Sequence, residues 1–187
     1  MSDLPDLPDQ ATASRHGPEH SLERLIFFSD AVFAIAITLL VIEIHVPHIE
    51  HGAGDVAYLN ALLRLIPNFM GFTISFFVIG AFWSGHHRAF GYAAHWDDRI
   101  MFRNLVMLFM IAAMPFFTAF VSAYGNDRVP VVAYCTWLLL TAIQNVRVQQ
   151  LATGPKMADP AVSPATLYYV RQRGWATVLG AATAVIV

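Results

Sequence analysis

The chain has 187 residues, of which 57% are hydrophobic and only 13% charged. With a mean hydropathy of +0.53, that composition excludes a soluble domain of this length and indicates an integral membrane protein. The net charge of -2 says nothing about partners by itself, and the single cysteine, Cys135, excludes an intrachain disulfide framework.

Residues 1–22 begin MSDLPDLPDQATASRHGPEH, are polar, and carry Pro5, Pro8 and Pro18 without the basic n-region and cleavage site of a secretory signal. They predict a disordered tail. Residues 23–187 predict one all-α, polytopic membrane domain, with helices over 24–46, 58–84, 103–124 and 129–148. Each is long enough to cross about 30 Å of hydrocarbon at a rise of 1.5 Å per residue. A fifth apolar segment, 174–187, is too short to span, so a chain cut short within that helix is expected. Pro67 and Pro115 predict kinks in the second and third helices. Gly71, Ser75, Gly80 and Ala81 predict close helix contact along the second.

Nine of the eleven basic residues fall on one side if the N-terminus is cytoplasmic: Arg15, Arg24, Arg88, Arg99, Arg103, Arg147, Lys156, Arg171 and Arg173, against Arg64 and Arg128. This bias predicts a multi-pass protein of the plasma (inner) membrane with its N-terminus inside.

Within the first helix, RLIFFSDAVFAIAITLLVIEI (Arg24 to Ile44), stands a carboxylate, Asp30. Ionisation is costly there, so Asp30 needs a partner or a function. At about 100° per residue, Ala31, Leu39, Ile42 and Val46 fall within about 40° of Ile35 and Thr38 within about 60°, whereas Asp30 lies about 140° away. The helix thus has two faces. Near the depth of Asp30, other helices offer FWSGHHRAF (Phe82 to Phe90) and RNL (Arg103 to Leu105). Ser29, Asp30, Trp83, His86, His87, Arg88 and Asn104 can meet there as an inter-helix latch. A proton relay through Asp30 and the histidines is the alternative.

The first-helix stretch, with Arg24, three residues, then Phe28-Ser29-Asp30, resembles the first helix of the endosomal and lysosomal potassium channel family (transmembrane protein 175 type), in particular its prokaryotic single-repeat members. SFFVIGAFWSGHHRAF (Ser75 to Phe90) and NLVMLFMIAAMPFFTAF (Asn104 to Phe120) resemble its second and third helices. The resemblance implies a six-helix repeat, of which five segments are present here, and a homotetramer around a central pore lined by helix one. It places the narrowest point at Ile35 and a threonine ring at Thr38, with Leu39 or Ile42 forming the next constriction outward. The latch expected from depth is taken to comprise Arg24, Phe28, Ser29 and Asp30 of this motif with Trp83, His86, His87, Arg88 and Asn104 as partners. Passive, potassium-selective cation transport is the implied activity, with K⁺ as the permeant ion and no cofactor.

An apolar ring bearing one hydroxyl is a workable pore wall, because a cation crosses it only by shedding part of its hydration, which is cheaper for K⁺ than for Na⁺. Ordinary packing positions are the other reading of Ile35, Leu39 and Ile42. A proton- or metal-coupled transporter using Asp30 and histidines is the alternative function. An enzyme is not expected, since no nucleophile-base pair or phosphate loop is present. The loop HVPHIEH holds His45, His48 and His51, but Pro47 breaks the spacing that would align them on a metal, and no metal site is expected. The lipid bilayer and further copies of the chain are the expected partners, with no nucleic acid.

Overall fold

The computed structural model describes residues 18–95 and 98–186. They form α1 (Pro18–Ile42), α2 (Asp55–Arg64), α3 (Ile66–Phe90), α4 (Asp98–Ala112), α5 (Met114–Tyr124), α6 (Arg128–Ala152) and α7 (Pro164–Ile186). Four stretches are long and apolar enough to cross a membrane: Ser21–Ile42, Asp55–Phe90, Arg99–Tyr124 and Arg128–Ala152. The all-α, multi-pass architecture follows.

Prolines account for the segmentation. Pro67 has no N–H to offer Leu63 and its ring crowds that carbonyl, so the second span breaks at Leu65 between α2 and α3. Pro115 does the same to Ile111, and the third span breaks at Ala113 between α4 and α5. The expected kinks are both present. Pro47 disfavours helical backbone at Val46, and α1 ends at Ile42 rather than at residue 46. The α1–α2 connection carries Gly52 and Gly54, both at φ 84, a left-handed conformation natural to glycine.

Most other boundaries extend beyond the expected ones. Residues 1–17 of the expected tail lie outside the described residues, but 18–22 are helical, with Pro18 at the first helical position, where a missing N–H costs nothing. The second span starts at Asp55 and continues to Phe90, through all of FWSGHHRAF. Helix α4 opens at Asp98, and α6 runs on to Ala152. The fifth apolar segment begins ten residues before the expected 174 and forms the 23-residue α7. Arg171, Gln172 and Arg173 lower its hydropathy without interrupting its backbone, which is why apolarity alone found only its second half.

Helix α1 packs against α3, α4 and α5; α3 also packs on α5 and α6, and α7 lies along α6. The interior between them is filled by Phe33, Leu40, Ile79, Ile100, Met107, Ile111 and Met114. Gly71 delivers the expected close approach, facing the Ser122 side chain across α3 and α5, whereas Gly80 faces open space. At the end of the bundle holding most of the basic residues, two connections are stitched together. Ala94 N–H donates to the Met157 carbonyl at 2.8 Å and Asp159 N–H to the Tyr92 carbonyl at 2.9 Å.

Candidate functional site

Helix α1 presents two faces along its length. Leu22, Leu25, Ser29, Phe33, Ala36 and Leu40, spaced three or four apart, are buried against the bundle. Arg24, Phe28, Ala31, Ile35, Thr38 and Ile42 repeat at the same spacing on the other side and are exposed. Ile35 is 57% and Ile42 66% exposed, with Leu39 at the edge of the stripe at 39%. Val46 has left the helix and is no part of the stripe. The Thr38 hydroxyl donates to the Ile35 carbonyl at 2.8 Å. Its oxygen lone pairs therefore remain available to another partner.

Asp30, half-buried between the two faces, reaches the C-terminal turns of α3. Trp83 Nε1–H donates to Asp30 Oδ1 at 2.8 Å, and His87 Nδ1 stands 3.9 Å from Asp30 Oδ2. The indole and imidazole, one turn apart on α3, stack at 5.3 Å between centroids. One residue earlier, a second and fully buried chain of hydrogen bonds crosses three helices. His86 Nε2 lies 2.9 Å from Asn104 Oδ1, Asn104 Nδ2 donates to Ser29 Oγ at 2.8 Å, and Ser29 Oγ–H donates to the Leu25 carbonyl at 2.7 Å. Because Asn104 spends its amide N–H on Ser29, its carbonyl oxygen accepts, and the donor is His86 Nε2–H. Stacked on Phe90 at 4.3 Å and tilted against Phe33, His86 has no partner at its other ring nitrogen, Nδ1.

Six of the residues singled out by depth thus meet, but as two separate groups: Asp30 with Trp83 and His87, and Ser29 with Asn104 and His86. Adjacent helix positions point about 100° apart, which splits the histidine pair. Arg88 is a correction. One further residue around α3, it turns from Asp30 and donates to Ser84 Oγ at 3.3 Å on its own helix. Arg24 and Phe28, expected with the latch, stand on the exposed face instead.

Two polar groups had not been anticipated. On α6 the side chains of Thr141, Asn145 and Gln149, followed by Thr153 just past its end, are buried. Asn145 Nδ2 donates to the Phe82 carbonyl at 3.3 Å, fixing α6 to α3. Their i, i+4 spacing is a signal visible in the sequence. The other group, Ser75, Thr118 and Tyr134, draws its hydroxyls from α3, α5 and α6, a convergence no local pattern announces. The outer-loop histidines do not assemble: His45 Nδ1 lies 3.0 Å from the Glu43 carbonyl oxygen, and among the described residues no three His, Cys, Asp or Glu side chains converge to hold a metal ion.

Residues 24–115 match the family described as "Endosomal/lysosomal potassium channel TMEM175". Among similar proteins, a potassium channel of Streptomyces collinus is 40% identical over 129 residues, 68% of this chain and 61% of that one. A potassium channel of Chamaesiphon minutus is 41% identical over 131 residues, 67% of this chain and 64% of that one. The matched stretch is therefore less than two thirds of either relative's length. The crystal structure of a lysosomal potassium-selective channel TMEM175 homolog from Chamaesiphon minutus superposes with a TM-score of 0.72 at 32% identity, covering 89% of this chain and 88% of that one. With likeness of sequence and of fold over nearly the whole solved chain, this multi-pass membrane protein belongs to the TMEM175 family of endosomal/lysosomal potassium channels.

Proposed function

We propose that the chain is one subunit of a potassium-selective channel that passes K⁺ in preference to Na⁺, passively, through an apolar constriction formed by α1 of each subunit. The observation that carries this reading is the uncovered stripe of α1: Ala31, Ile35, Thr38 and Ile42 face away from the bundle, and that helix lies, from Arg24 on, in the stretch that matches the potassium channel family. Identical subunits arranged about an axis would bring these stripes together, and closed rotational symmetry is the usual solution for such assemblies. Four copies make the pore, in the inner (plasma) membrane with the N-terminus cytoplasmic. No bound cofactor is needed.

Ile35 is the narrowest ring, with Leu39 and Ile42 forming the next outward. An aliphatic ring supplies no oxygen, so an ion crossing it must leave water behind, at a lower cost for K⁺ than for Na⁺. Thr38, its hydroxyl proton already given to a backbone carbonyl, offers lone pairs just beyond the ring and returns part of the lost coordination. Arg24 and Phe28, exposed on the same stripe, meet the neighbouring subunit, while the groups around Asp30 and Ser29 hold α1 from behind. A proton relay through Asp30 would have to use His87, whose Nδ1 stands 3.9 Å from the carboxylate, beyond hydrogen-bonding distance, since Trp83 can only donate and, among the described residues, the His86 group makes no bond to the carboxylate.

The test is K⁺ and Na⁺ flux through purified protein in liposomes, native against Ile35→Ala. Native flux that favours K⁺, with the preference lost in the variant, is expected. Flux that requires a proton gradient, or a variant as selective as the native protein, would remove Ile35 from this role.

A further inference from the structure

We infer that a cavity between α3, α6 and α7 is a site for a phosphate ester, held by Arg88 and Arg173. The cavity measures about 290 Å³, close to the lower bound of about 300 Å³ typical of sites for small ligands. Arg88 comes to it from α3 and Arg173 from α7. Among the described residues neither guanidinium has a carboxylate partner. Arg88 donates to Ser84 Oγ at 3.3 Å, and Arg173 donates to Tyr169 Oη at 3.3 Å while lying over that ring. Two cations lining one cavity, with no carboxylate beside either among the described residues, repel each other until an anion joins them, and a guanidinium fork suits the paired oxygens of a phosphate.

The rest of the cavity wall is built of hydrogen-bonding groups. Gln149, only 4% exposed, lays its amide between α3 and α7 because both present glycine to it. A methyl group at Gly85 would come 2.7 Å from Gln149 Nε2, and one at Gly174 3.1 Å from Oε1. Ser84 adds a hydroxyl beside Arg88. The glycines thus admit a buried amide at the back of the cavity, and the arginines stand with it around the opening.

Location favours a ligand of the membrane surface. Arg88 lies two residues before the end of α3, at the end of the bundle where Arg99, Arg103, Arg147, Lys156 and Arg171 also gather. Basic pockets between membrane helices at the cytoplasmic side suit acidic lipid head groups. The shared chemistry is a phosphate mono- or diester, carried by such a lipid or by a soluble phosphate.

The experiment is calorimetric titration of the detergent-purified full chain with short-chain phosphatidylglycerol and, separately, with inorganic phosphate. Arg173→Gln, Arg173→Lys and Arg88→Gln are compared with native. The side-chain bonds of Arg173 stay on its own helix, so its variants are expected to fold, and a melting curve checks this. Saturable binding is expected, weakened at least about tenfold by either glutamine substitution and kept in part by Arg173→Lys. Lipid binding without phosphate binding assigns the site to a head group; equal binding of both assigns it to phosphate esters in general. No saturable binding of either probe, or native affinity in well-folded Arg173→Gln, overturns the site.

Discussion

Replacing Asn104 by Ala removes the middle side chain of the buried chain linking His86 to Ser29. Asn104 is fully buried, as are its two partners. Its loss leaves His86 Nε2–H without an acceptor on a ring whose Nδ1 already lacks a partner, and an orphaned buried donor costs about 1–3 kcal/mol. The bond to Ser29 contributes about 0.6 kcal/mol, up to about 1.7, by the measure of hydrogen bonds between membrane helices. The void left by the amide adds about 1–2 kcal/mol. Asn104→Ala should therefore destabilise the protein by about 3–6 kcal/mol. His86→Phe keeps a ring between Phe33 and Phe90 but removes both nitrogens. In that background nothing is orphaned on the histidine side, so the same substitution should cost about 2–3 kcal/mol. The coupling between the two positions is then about 1–3 kcal/mol. Equilibrium unfolding in mixed micelles, titrated with sodium dodecyl sulfate and followed by tryptophan fluorescence, measures all four corners of the cycle. Strict additivity, a coupling under about 0.5 kcal/mol, would refute the claim that the chain holds α1 to α3 and α4.

Three further outcomes are expected. Ile35→Asn places a polar ring where the proposed constriction is aliphatic, and ion flux in liposomes should lose its K⁺ preference while Na⁺ flux rises. Trp83→Phe deprives the partly exposed Asp30 of its donor and should lower stability by about 1 kcal/mol; an unchanged unfolding midpoint would show that His87 or water replaces the indole. Gly71→Ala drives a methyl group into the Ser122 side chain and should cost about 1–3 kcal/mol. Ser122 Oγ is buried without a partner, so Ser122→Ala should be neutral or stabilising by itself and should relieve most of the Gly71→Ala loss, which melting temperatures of the three variants would show.

How far the sequence reveals the site depends on which coordinate is asked of it. Depth is legible: counting residues from the helix end brought Ser29, Asp30, Trp83, His86, His87, Arg88 and Asn104 to one level, and the structure places all but Arg88 in two bonded groups there. Azimuth is legible within one helix and lost between helices. The wheel separated Asp30 from Ile35 correctly, since both sit on α1, but counting could not say which of His86, His87 and Arg88 faces α1, and Arg88 turns to α7 instead. Val46 left the stripe because Pro47 ends the helix before it, a local signal that the wheel ignored. Helix α7 was half hidden for a different reason: Arg171 and Arg173 lower its hydropathy, and only tertiary partners show how a polar first half is accommodated, Arg171 donating to Thr153 and Arg173 lying over Tyr169.

The arrangement on α1 also explains why one helix can serve two ends. In lipid, apolar side chains gain little by turning inward, so what holds a helix to its bundle is close packing and hydrogen bonding. Accordingly α1 spends Ser29 on α4 and Asp30 on α3, and leaves the opposite stripe, from Ala31 to Ile42, aliphatic but for Thr38. An exposed face takes its orientation from the packing and the bonds on the side of the helix behind it. Substitutions in the Ser29–Asn104–His86 chain should therefore disturb ion selectivity as well as stability, although none of those side chains lies on the exposed stripe. If Ser29→Ala, assembled and active, left the K⁺ over Na⁺ preference untouched while lowering the unfolding midpoint, the two faces of α1 would be mechanically independent, and the stripe would owe its orientation to contacts between subunits rather than to the latch.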